Sequence, residues 1–136
     1  MRFPQDVIAA AELISGRVRR TPVERSPVLE GSSGARVWLK LENLQETGTF
    51  KLRGAFHKLL SLDEEARGRG IVAASTGNHG AGVAAAAAAL GVRATSFAPL
   101  TADPSKLEGV RQRGAEVQQV GDDCLVAEAA AREEAE

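Results

Sequence analysis

Apolar positions along this chain fall into alternating helical and extended rhythms. Val7, Ile8, Ala11 and Ile14 recur at helical spacing. Pro4 suits a first turn and Gly16 a stop, so the pattern predicts an opening helix. Thr21-Pro22 then demands extended backbone, because a residue before proline avoids the helical region. Gly31-Ser32-Ser33-Gly34 reads as a loop, and Val37, Leu39 and Leu41 alternate with Trp38, Lys40 and Glu42 as a strand would. After a loop over 43–49, Leu52, Ala55, Phe56, Leu59 and Leu60 mark the inner face of a second helix.

From residue 71 the rhythm tightens. Ile71 to Ala74 is a short apolar strand, and Gly77 to Leu90 a helix ended by Gly91. Val92 to Ala98 is a second strand, Pro104 to Arg113 a helix stopped by Gly114, and Val117 to Val120 a third strand before a helix from about Asp122. Strand and helix in this alternation predict an α/β fold with a parallel sheet and right-handed crossovers. The run Ala84 to Ala89 reads as a small-residue helix face packed closely on that sheet. The chain ends inside the alanine- and glutamate-rich helix Ala127 to Glu136 without a stop signal, as a frayed terminus or a truncation would.

Composition narrows the function classes. At 136 residues the chain can bury one real core. A formal net charge of -1 leaves no electrostatic footprint for nucleic acid. Cys124 is the single cysteine, so no intrachain disulfide forms and a reduced setting fits. The Gly80 to Gly91 stretch is far short of the ~20 apolar residues of a membrane span. Met1-Arg2-Phe3-Pro4-Gln5-Asp6 lacks the charge-then-apolar order of a signal peptide, so the cytoplasm is the expected location.

Two stretches carry chemistry. The first is Lys40-Leu41-Glu42-Asn43-Leu44-Gln45-Glu46-Thr47-Gly48-Thr49-Phe50-Lys51-Leu52-Arg53-Gly54-Ala55. A strand ends in a polar turn tightened by Gly48, and a helix begins at about Thr49, capped by Thr47 or Thr49. Lys51 therefore stands in a first helical turn, where free N–H groups and the positive dipole end disfavour an ammonium and suit a nucleophilic amine. Phe50 offers an aromatic face beside it, and Gly54 and Ala55 leave room for a ring. By residue type alone, Lys51 would be an ordinary solvated lysine.

The second stretch, Ser75-Thr76-Gly77-Asn78-His79-Gly80, joins a buried strand to a helix. Ligands of open parallel sheets bind beyond the carboxyl ends of the strands, and a helix N-terminus there presents N–H groups to an anion. Hydroxyl and amide donors on Ser75, Thr76 and Asn78 fit a carboxylate or phosphate. An ordinary capped turn would look much the same. Other motifs fail: Gly77, Gly80 and Gly82 reverse the dinucleotide spacing, and no phosphate loop or nucleophile elbow exists. His57, His79 and one cysteine make no metal cluster.

Together these stretches resemble the serine/threonine dehydratase branch of the fold-type II pyridoxal-phosphate enzymes. That branch carries Lys-x-Glu-Asn-x-Gln-x-Thr-Gly-Ser-Phe-Lys-x-Arg-Gly-Ala, matched here throughout with Thr49 in place of serine, followed by a Ser-x-Gly-Asn-His loop. The resemblance extends over nearly the whole chain, including Thr21-Pro22 and the region 104–117. It implies a three-layer parallel sheet with flanking helices. Residues 1–53 would belong to an incomplete large domain and residues 54–136 to a small α/β domain bearing the carboxylate loop.

The resemblance also implies roles. Lys51 would hold pyridoxal 5'-phosphate through its amine and move the proton at the substrate's alpha carbon. Phe50 would pack near the cofactor ring, and Asn78 would hydrogen-bond its phenolic oxygen. Ser75, Thr76, Gly77, Asn78 and His79 would bind the carboxylate of a small hydroxyamino acid. The reaction would be beta-elimination of water from serine or threonine, giving a 2-oxo acid and ammonia, in a homo-oligomer when full-length. Lys51-Leu52-Arg53-Gly54-Ala55 favours dehydratases over the synthases, which carry Lys-Asp-Arg. Serine racemase activity stays open, because the Thr76 hydroxyl stands where racemases carry a serine.

Family members are much longer, and two of their parts are not found here: a later glycine-rich loop around the cofactor phosphate, and the polar residue facing the pyridine nitrogen. Gly31 to Gly34 precedes the lysine and is no substitute. The chain alone is therefore expected to bind the cofactor weakly, or to be a non-catalytic fragment. Apolar faces on its first helix and on the Val37–Leu41 strand should then be exposed.

Overall fold

The computed structural model describes residues 3–136; Met1 and Arg2, which open the segment read above for a signal sequence, lie outside the described residues. Helix α1 spans Phe3–Leu13, and Pro4 sits in its first turn. None of its residues is buried: Val7 and Ile8 are 53% and 58% exposed, and only Ile14, just past its end, enters the core.

Strand β1 (Val23–Arg25) pairs antiparallel with β2 (Trp38–Lys40), Val23 opposite Lys40 and Arg25 opposite Trp38. Between them runs α2 (Pro27–Ser33), which corrects the loop expected at Gly31–Gly34. Pro27 pre-sets its first turn, and Gly34 ends it in the left-handed conformation, φ 68°. The polar residues that resemble a loop are its last turn, where Ser32 and Ser33 hydroxyls donate back to the Val28 and Leu29 carbonyls. Of the apolar face expected to be exposed here, Leu39 is exposed but Val37 and Leu41 are half-buried, and Trp38 on the other face is exposed as well.

Helices α3 (Lys51–Ser61) and α4 (Glu64–Arg69) lead into a parallel sheet of β3 (Ile71–Ala74), β4 (Ala94–Ala98) and β5 (Glu116–Gln119), in that order. Connecting them are α5 (Asn78–Leu90) and α6 (Pro104–Arg111), with α7 (Cys124–Glu134) after β5. Period-two alternation sends side chains to opposite faces. Val72, Ala74 and Phe97 pack against Ala127 and Ala131 of α7, while Ala94 and Val117 face Ala84 of α5 and Val110 of α6. The result is a three-layer α/β arrangement, as expected. A third cluster joins Ile14, Leu52, Ala55 and Phe56 to Val83 and Ala86, seating α3 on α5. Among the described residues, no helix is long and apolar enough to cross a membrane.

One buried polar group lacks a partner in this core. Ser96, 2% exposed on β4, has an Oγ with no hydrogen-bond partner among the described residues. An unsatisfied buried hydroxyl costs about 1–3 kcal/mol. Ser96→Ala is therefore expected to stabilise the fold by roughly 1 kcal/mol, read as a higher urea midpoint at unchanged slope. A lower midpoint would sink this assignment.

Candidate functional site

The segment leading to the lysine is clamped to the N-terminal strand pair. Arg53 on α3 reaches back to Glu42, Nε to Oε2 at 2.9 Å and Nη2 to Oε1 at 2.7 Å. The Thr21 hydroxyl donates to Glu42, and Lys40 Nζ donates to the Thr21 carbonyl at 2.6 Å. Gln45 adds a reciprocal pair with Arg19, its Oε1 accepting at 2.9 Å and its Nε2 donating at 3.0 Å. The Arg53 guanidinium, aided by Thr21 and by the charge of Lys40, holds the Glu42 carboxyl down at about 2 against burial. Four polar residues of the long motif thus act as a tie around the loop that carries Lys51. Sequence reading assigned them no role, although opposite charges flanking the lysine were the available signal.

Within that loop Gly48 takes a left-handed φ of 71°, which turns the chain toward α3. The helix begins at Lys51, two residues later than expected, with Phe50 at the cap position and no side-chain cap. Thr49 Oγ1 accepts from the Lys51 N–H at 3.4 Å, whereas Thr47 Oγ1 is buried without a partner and caps nothing. The Lys51 amine lies 5.1 Å over the centroid of the Phe50 ring. Among the described residues it has neither a hydrogen-bond acceptor nor an ion-pair partner. Of the two small residues expected to leave space, only Gly54 faces open space; Ala55 is buried in the α3–α5 contact.

The second stretch sits at the carboxyl end of β3, as its position in a parallel sheet requires. Ser75 Oγ accepts from Gly77 N–H at 3.2 Å and Gly80 N–H at 2.9 Å, so its oxygen caps α5 and only its O–H remains to donate. The N–H groups of Asn78 and His79 have no acceptor among the described residues. The side chains of Thr76 and Asn78 likewise form no hydrogen bond there. Burial, and next the positive charge of Lys51, hold the His79 imidazole below its usual range and favour the neutral ring. The two motifs are therefore electrostatic neighbours.

Concave surface is divided between them. A cavity of about 700 Å³ runs along the free edge of β3 past Gly54, Lys58 and His79. A smaller one of about 240 Å³ is lined by Ser75, Thr76 and Cys124 on the α7 side. Lys51 lines neither: it is linked to Phe50 by the ring contact and to His79 by its charge, while Gly54 and His79 line the larger hollow and Ser75 and Thr76 the smaller.

Known proteins resemble this chain in sequence and in fold. The chain is 48% identical over 112 residues to an L-threo-3-hydroxyaspartate ammonia-lyase from Pseudomonas sp, covering 82% of this chain and 35% of that protein. It is 46% identical over 113 residues to the L-threonine ammonia-lyase of Thermotoga maritima, covering 83% and 28%. It spans about a third of the length of these curated relatives. Among solved structures, maize serine racemase superposes with a TM-score of 0.88 at 32% identity, over 96% of this chain and 40% of that one. The T.th. threonine deaminase gives 0.81 at 43%, over 95% and 40%. The parallel sheet and its helices thus match part of the fold-type II architecture. Residues 14–136 match the family model described as pyridoxal-phosphate dependent enzyme, and to that family this chain belongs.

Proposed function

We propose that the chain carries the lysine and the carboxylate-binding loop of a pyridoxal-phosphate-dependent elimination, converting serine or threonine to a 2-oxo acid and ammonia. The observation that carries this reading is the uncommitted Lys51 amine at the start of α3, beside the unpaired N-terminus of α5. The residues present fit the cofactor: a free amine, an aromatic face at Phe50, and unspent donors on Thr76 and Asn78. When bound, it supplies an electron sink for charge developing at the substrate's alpha carbon.

The chain's own groups do the rest. Lys51 would hold the cofactor through its amine and, as general base, would take the proton from the substrate's alpha carbon. The Asn78 amide would donate a hydrogen bond that orients the cofactor ring. Free N–H groups of Asn78 and His79, with the Ser75 and Thr76 hydroxyls, hold the substrate carboxylate at the positive end of α5. The beta hydroxide would leave as water with the proton taken from the alpha carbon, and the enamine that results would take up one water and release ammonia to give the 2-oxo acid. A division near residue 53 goes with this reading. The strand pair and its Arg53 tie lie to one side, the parallel sheet to the other.

The test is to incubate the chain with pyridoxal phosphate, reduce with borohydride and map the modified lysine by tandem mass spectrometry. Modification spread evenly over Lys40, Lys51, Lys58 and Lys106 would overturn the proposal.

Racemization is the second reading, favoured by the unbonded Thr76 hydroxyl and the likeness to maize serine racemase. On that reading Thr76 would serve as acid/base on the opposite face of the alpha carbon. Thr76→Ala in the holoenzyme is expected to lower D-serine formation roughly a hundredfold, and an unchanged rate removes the idea.

A further inference from the structure

We propose that Gly82 is a positioning residue for Lys51, a role resting on the reading of Lys51 as the cofactor lysine. Gly82 lies buried in the second turn of α5. A Cβ built on it would stand 3.1 Å from the Leu52 nitrogen, 3.1 Å from the Lys51 carbonyl carbon and 3.3 Å from the Lys51 carbonyl oxygen. All three are backbone atoms in the first turn of α3, so no flexible side-chain tip can swing aside. Helix α5 seats directly on the Lys51–Leu52 peptide because position 82 has no side chain.

This contact fixes one motif against the other. Gly82 follows Asn78 by four residues and His79 by three, so the three share one face of α5. Further along that side, Val83 and Ala86 pack on Leu52, Ala55 and Phe56. A methyl group at 82 would wedge the start of α3 from α5, moving Lys51 relative to Asn78 and His79 while leaving the sheet in place. Other helical glycines do not do this. A Cβ at Gly80 would meet Ser96, Val110 and Ser75, and one at Gly109 only the tip of Arg113 at 3.5 Å. Glycine is a poor helix former, so its presence in α5 is a local cost that the close approach offsets.

The experiment compares wild type, Gly82→Ala and the control Gly109→Ala by competitive acylation of the lysines across pH, resolved by mass spectrometry. Gly82→Ala is expected to change Lys51 reactivity roughly threefold or more and to shift its pH profile. Lys58 and Lys106 should follow wild type in the same sample, and Gly109→Ala should leave Lys51 unchanged. A Lys51 profile identical in wild type and a folded Gly82→Ala overturns the proposal. If that variant does not fold, the wild type decides: a nuclear Overhauser contact between the Gly82 α-protons and the Leu52 amide proton is required, and its absence overturns it. Borohydride trapping of pyridoxal phosphate on wild type separates the two claims. Even labelling of the lysines there defeats the cofactor assignment, whereas the acylation profile still reports whether Gly82 sets the environment of Lys51.

Discussion

Lys51→Ala is expected to abolish stable attachment of pyridoxal phosphate to the chain, with no other lysine taking its place. Of the four lysines, Lys40 is committed to the Thr21 carbonyl, Lys58 lies in the last turn of α3, and Lys106, though in the first turn of α6, has no aromatic ring over its amine among the described residues. Only Lys51 combines an uncommitted amine with a first-turn position, a neighbouring aromatic face and nearness to the α5 N-terminus. The absorbance band of the lysine-bound cofactor should vanish in Lys51→Ala and survive in Lys58→Ala. In a holoenzyme carrying this segment, formation of 2-oxo acid should fall about a thousandfold or more. A band of undiminished size in Lys51→Ala would defeat the assignment. Lys51→Arg sharpens the test, because it keeps the charge over Phe50 while removing the amine chemistry.

The second large effect concerns stability. Arg53→Ala should cost roughly 2–3 kcal/mol, between the values for exposed and for fully buried ion pairs. The Glu42 and Arg53 side chains are 15% and 29% exposed, so the pair is partly screened. Removing Arg53 leaves Glu42 with Thr21 as its remaining side-chain partner and frees the loop that presents Lys51. The same pair sets a pH dependence. Glu42 titrates at about 2 when folded, against an ordinary 4.5, so the folded state favours its charged form. Its contribution is therefore complete above about 4.5 and is lost as pH falls through about 2. Urea titrations of wild type and Glu42→Gln should differ most near neutral pH and converge near pH 2. Curves separated equally at every pH would show that the carboxylate's charge does not hold this tie.

The half of the chain after residue 70 could be read with few errors, because each element there announces itself locally. Apolar runs of strand length alternate with helical periods, and Gly91 and Gly114 mark the stops. Three elements escaped for want of such a signal. The polar α2 ends in a glycine that looks like loop; α4 has no apolar face and depends on its Asp63 cap; β1 is three residues long and becomes a strand by pairing with β2. Val7 and Ile8 have the spacing of an inner face, yet nothing in the described structure covers them.

The candidate site divides in the same way. Residue type and order were enough to single out Lys51, Phe50 and the Ser75–His79 loop. They were silent on what each atom does in space. That Ser75 turns its oxygen onto its own helix, that Ala55 enters the core, and that Arg53 closes on Glu42 across eleven positions follow from how separate segments pack. So does the seating of Gly82 on the Lys51 peptide. A helix or strand is legible because its pattern repeats within a few residues, set by backbone geometry. A distance between residues thirty apart is settled only when side chains interlock at near-crystalline density.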